Sequence, residues 1–94
     1  MAILRANGDR LIDIGNDIIS LSNEFDGIIE DLFSKICNIP NVAWSGNSAV
    51  RYVNMAKADK FQYKSLANQL KSYGQIYKNT GEQINSKVNK WEAN

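Results

Sequence analysis

Apolar residues return every seven positions on both sides of a single proline. Leu4, Leu11, Ile18, Phe25, Leu32 and Ile39 form one row, and Ile14, Leu21 and Ile28 form a second, offset by three. Rows so spaced are the a and d positions of helices packed lengthwise. Asn7, Gly8 and Asp9 supply a helix start, with a short acceptor side chain and then an acid in the positive first turn. Gly15 and Gly27 each weaken the helix by up to ~1 kcal/mol, but they do not break the repeat. Proline pushes the residue before it out of the α region, so Pro40 predicts a helix end near Asn38. The first helix is therefore expected over about 8–38. A connector over 39–46 follows, then a second helix over about 47–90, capped by Ser45 or Asn47, and a tail to residue 94. Its rows are Ala49, Ala56, Tyr63, Leu70, Tyr77, Ile84, Trp91 and Val53, Lys60, Ala67, Gly74, Gly81, Val88.

Two long helices joined by a few residues form an antiparallel hairpin, so the fold class is all-α and the chain one domain. If Trp44 marks the bend, residues at one height have numbers that add to about 88. Leu32 then meets Ala56, Phe25 meets Tyr63, Ile18 meets Leu70 and Leu11 meets Tyr77. In the second set Ile14 meets Gly74, Leu21 meets Ala67 and Ile28 meets Lys60. Large residues repeatedly oppose small ones, as interdigitating layers require. Lys60 must reach outward along its stem.

The apolar face of the first helix is wider than one partner covers. Ile12, Ile19, Ile29, Phe33 and Ile36 flank the expected seam, and Met55, Leu66, Tyr73 and Ile76 widen the face of the second helix. A lone hairpin leaves this surface wet. The expectation is a dimer of hairpins, a four-helix bundle, whose partner is a second copy or a related chain.

Charge separates by helix. Residues 1–39 carry three basic and seven acidic side chains, and residues 40–94 carry eight and three. Lys57, Lys64, Lys71 and Lys78 form a ridge at the same heights as Asp31, Glu24 and Asp17. Exposed pairs of this kind are worth ~1 kcal/mol or less and serve orientation and partner choice. The net charge is only +1 and no recognition motif accompanies the ridge, so no nucleic acid is expected. Histidine is absent and Cys37 stands alone. Serine triads, Cys–His pairs and histidine metal sites are excluded by composition, and no cofactor or catalytic residue is expected. The first residues show no signal peptide, and no run approaches the roughly 20 apolar residues of a membrane span.

Trp44 is a very large side chain for a connector. A rigid indole can plug the hole where helix ends splay, and glycine two residues on lets the backbone turn tightly. Trp44-Ser45-Gly46, central between two helices in a chain of this length, resembles the WXG family of small ESAT-6-like proteins. Ala49 and Tyr52 fall where that family has a small and then an aromatic residue. The resemblance implies a non-enzymatic helical hairpin, made in the bacterial cytoplasm and secreted by a type VII system without a signal peptide. It implies recognition through Trp44, Ser45 and Gly46, and the secretion ATPase as a partner. Many relatives carry Tyr-x-x-x-Asp/Glu after the second helix. Here Tyr73 is followed at that spacing by Tyr77, and Tyr77 by Gly81. The tail instead offers Ile84, Val88, Trp91 and Glu92. By the register above it outruns the first helix, and its apolar face needs the N-terminal segment, a partner's bend or the ATPase.

Two other readings stand beside this one. The chain is a helical partner that targets a larger secreted toxin, paired with the toxin's N-terminal helical domain; or it is a hairpin that opens to lay its apolar faces on a membrane.

Overall fold

The computed structural model describes the backbone of residues 2–43 and 46–93 and the side chains of 2–39 and 46–93. Helix α1 runs Ala2–Ala43 and helix α2 runs Asn47–Ala93, and the two pack against each other along their length. No strand occurs among the described residues. Helices of 42 and 47 residues are about 63 and 70 Å long at 1.5 Å per residue. The molecule measures 72 × 15 × 14 Å, so the arms lie side by side over nearly their whole length. Its radius of gyration is 21.0 Å, against about 12 Å for a compact domain of this length. It is a rod two helices thick.

Both boundaries of α1 differ from expectation. Its start lies at Ala2, because Gly8 is not a helix start but a mid-helix contact with α2. Its end lies at Ala43, three residues beyond Pro40. A proline inside a helix costs one backbone hydrogen bond and crowds the carbonyl four residues back, but the N–H groups of the residues after it can still continue the ladder. Helix α2 begins where expected; Asn47 is its first residue rather than its cap, and Ser45 lies outside the described residues. The Val50 N–H donates to the Gly46 carbonyl at 3.1 Å, which makes Gly46 the capping residue. Gly46 has φ +99°, a left-handed conformation that side chains oppose. The chain turns on a residue able to take that shape.

The seam is built differently from the expected one. Its tight half is made of backbone against backbone. A Cβ on Gly15 would stand 2.5 Å from the Gly74 carbonyl oxygen, and one on Gly74 would stand 2.8 Å from that of Gly15. Gly8 and Gly81 oppose each other in the same way, and Ser22 lies beside Ala67. These pairs add to 89, one residue from the expected register. Small meets small, and neighbouring isoleucines roof the contact: Ile18 and Ile19 over Gly74, Ile12 over Gly81. Toward the turn the seam thickens. Ile29, Phe33, Ala56 and Ala67 form the buried cluster there, with Phe25, Ile36 and Cys37 packed against it.

The face of α2 is the expected one in part: Ala67, Gly74, Gly81 and Val88 are buried in one seven-residue row with Ala49 and Ala56 from the other, but Tyr63, Leu70 and Tyr77 of that second row, expected to meet Phe25, Ile18 and Leu11, lie exposed outside the seam. On α1 the seam and its flank exchange places. Ile12, Ile19, Ile29 and Phe33, expected beside the seam, are in it. Ile14, Leu21 and Ile28, expected to face Gly74, Ala67 and Lys60, lie outside, with Leu21 62% exposed. Close backbone approach is the reason. A glycine pair lets the roofing isoleucines touch the opposite helix along their whole length, whereas Ile14 over Gly74 would hold the axes apart.

Candidate interaction surface

The two edges of the rod differ in kind. One is charged and cross-linked. Lys64 Nζ lies 2.9 Å from Asp26 and 2.5 Å from Glu30, and Lys60 Nζ reaches Glu30 at 2.9 Å. Lys60 thus extends outward along its stem, as its place in an apolar row requires. The hydrogen bond from Lys64, then that from Lys60, holds the Glu30 carboxyl below the usual carboxylate range. The same contacts, with Glu30 first and Asp26 second, raise the Lys64 ammonium. The expected matching of Glu24 with Lys64 and of Asp31 with Lys57 is not made. Asp31 pairs with Lys35 on its own helix at 3.1 Å, because its heptad position turns it to the back of α1.

The polar edge continues to the open end. Asn85 Nδ2 donates to Asp9 at 2.7 Å, and Arg5 binds both Asn89 and Glu92, the latter at 3.1 Å. Val88 is only 1% exposed. The first helix therefore covers more of the tail than expected. Because α1 begins at Ala2, its first two turns lie level with about residues 81–87 in the register of 89, and Arg5 reaches past that level to Asn89 and Glu92. Val88 belongs to the seam, Glu92 to an ion pair, and Ile84 is half-buried, whereas Trp91 is 59% exposed.

The opposite edge is apolar. Near the turn, beside the buried cluster, a groove of about 570 Å³ opens between the helices. Phe25, Ile28 and Leu32 form one wall, Tyr52, Met55 and Tyr63 the other, with Ile29 and Ile36 at its floor. Tyr63 stacks at a tilt on Phe33, ring centres 5.8 Å apart. Phe25 lines the same groove as Tyr63, so the expected pair shares a site without forming the ring contact. The apolar edge runs on by sevens from these residues: Leu21 and Ile14 along α1, Leu70 and Tyr77 along α2, with Leu66 and Tyr73 beside them. All six are exposed. Leu11, Ile18 and Phe25 are half-buried on the shoulder between this edge and the seam, and Leu32 is exposed.

The exposed area quantifies this. A compact 10.6 kDa chain exposes about 5,500 Å². This one exposes 6850 Å². The excess is larger than the ~800 Å² each partner gives up in a standard protein interface.

Of the expected turn motif, Gly46 has the backbone described above, and Trp44 and Ser45 lie outside the described residues. No helix of the described residues is long and apolar enough to cross a membrane. Among the described residues no group of three or more histidine, cysteine, aspartate or glutamate side chains is placed to hold a metal. The glycine seam is what sequence reasoning missed. Its signal was present, as Gly8, Gly15 and Ser22 at seven-residue spacing mirror Ala67, Gly74 and Gly81. Compared with protein-family models, with curated proteins and with solved structures, the chain matches none.

Proposed function

We propose that this chain is a non-enzymatic WXG-type export module. It pairs through its apolar edge into a four-helix bundle and is secreted by a bacterial type VII system that reads the Trp44-Ser45-Gly46 bend. The observation that carries the reading is the hairpin itself: two arms of nearly equal length reversing at a connector whose glycine holds φ +99°. The unpaired apolar edge supports the pairing. The test is export from a bacterium with a type VII system. The chain should reach the medium, and Trp44→Ala and Gly46→Ala should reduce that more than they reduce helicity. Equal secretion from a strain lacking the secretion ATPase refutes the reading.

One observation favours the targeting-partner reading over self-sufficient export. The tail carries no Tyr-x-x-x-Asp/Glu and is held to α1 through Arg5, Asp9 and Val88. A tail committed to its own hairpin leaves the export signal to a companion. In that case the chain reaches the medium only when a signal-bearing companion is produced with it.

A further inference from the structure

We propose that the groove beside the turn is filled by Trp91 of a second copy of this chain, in an antiparallel two-fold pair. The inference rests on the pairing half of the function proposed above; it names the partner and the fit.

Three features of the same edge point to it. The first is shape. The apolar edge carries a concavity, the groove walled by Phe25, Ile28, Tyr52 and Met55, and a large exposed aromatic at the other end, Trp91. Trp91 belongs to the seven-residue row of Tyr63, Leu70 and Tyr77, across the seam from the Arg5 contacts to Asn89 and Glu92. Hollow and knob thus lie on one side of one rod.

The second is spacing. A two-fold axis perpendicular to the rod makes an isologous pair, in which each edge meets its own copy reversed. Place that axis at the level of Gly74. Trp91 lies 17 residues beyond it, about 25 Å, and residue 57 lies the same distance before it. Residue 57 falls between Ala56 and Asp59, both in the groove wall. The axis is also close to the middle of α2, so this placement overlaps the two rods over most of their length.

The third is charge. Asp59 lines the groove and makes no ion pair among the described residues. Lys87 and Lys90 flank Trp91, and the same axis brings them to the levels of residues 61 and 58. A partner's indole arrives with its lysines beside the groove's acid. The opposite orientation, with both turns at one end, leaves each groove facing the other and Asp59 near its own copy.

The experiment is site-directed cross-linking of the full chain in a Cys37→Ser background. Met55→Cys and Lys90→Cys are placed together and treated with a short bis-maleimide. Both positions are solvent-facing, and helicity is checked by circular dichroism. Within one chain they are 35 residues apart on a single helix, about 50 Å, so linkage must occur between copies. More than half of the chain should run as covalent dimer, and Lys90→Cys alone should give none. In a Trp44→Phe chain, Trp91 emission should shift to the blue as concentration rises through the dimer range. A dimer by solution mass that does not link 55 to 90, that links through Lys90→Cys alone, or that leaves Trp91 emission unshifted overturns this inference and spares the pairing. A chain that remains monomeric at high concentration overturns both.

Discussion

The glycine seam makes two chemically identical substitutions behave oppositely. Gly27 has nothing within 4 Å of the place a Cβ would occupy. Gly27→Ala should therefore stabilise the chain by about 1 kcal/mol, the helix-propensity difference. Gly15→Ala gains the same propensity but puts its methyl 2.5 Å from the Gly74 carbonyl oxygen and 2.6 Å from the Lys78 backbone nitrogen. Neither is the end of a flexible side chain. The helices must part by most of an ångström, and a gap of 0.5–1 Å already forfeits about a quarter to a half of each local dispersion contact. Overpacking of this sort costs about 1–3 kcal/mol, so the net effect should be destabilisation by about 1 kcal/mol. The two variants then differ by about 2 kcal/mol, or roughly 10 °C in midpoint for a chain of this size. Thermal unfolding followed by circular dichroism at one fixed protein concentration measures it; the concentration is held because association moves the midpoint. If Gly15→Ala raises the midpoint as Gly27→Ala does, the backbones do not touch and the seam described here is wrong.

Other outcomes follow from the two edges. Leu21→Ser and Ile28→Ser remove apolar surface that the hairpin itself does not bury; each should weaken self-association in sedimentation while leaving the helicity of the monomer unchanged. Val88→Ala removes two buried methyl groups and should cost about 1–3 kcal/mol in denaturant unfolding, whereas Trp91→Ala should cost the isolated hairpin little. Folding lowers the Glu30 pKa, so its contribution is complete above the ordinary carboxylate range and is lost as pH falls through the lowered value. Unfolding of Glu30→Gln should accordingly depend less on pH through the acid range, and an unchanged slope would show that Lys60 and Lys64 do not hold the carboxylate in solution. Replacing Arg5 with Met should speed amide hydrogen exchange at residues 85–93 while leaving residues 60–75 unaffected.

The seven-residue rows, read without any coordinates, were enough for two long antiparallel helices, because a repeat that close to the helical period admits no other regular structure. They were enough also for the small row of α2, Ala67, Gly74, Gly81 and Val88, but not to show that the neighbouring row of Tyr63, Leu70 and Tyr77 stays outside the seam. The face of α1 was beyond them. There the rows of Ile18 and Leu21 and the rows of Gly15 and Ile19 are adjacent, both contain apolar residues, and a hydrophobic pattern favours the bulkier. What decides between them is how closely two backbones can approach, a property of pairs of residues some sixty positions apart. The tertiary structure placed the glycines against each other and turned the bulk outward, and it showed that α1 extends far enough toward its start to hold the tail. The same choice produced the apolar edge: a seam closed by glycine leaves the large side chains free for something else to cover.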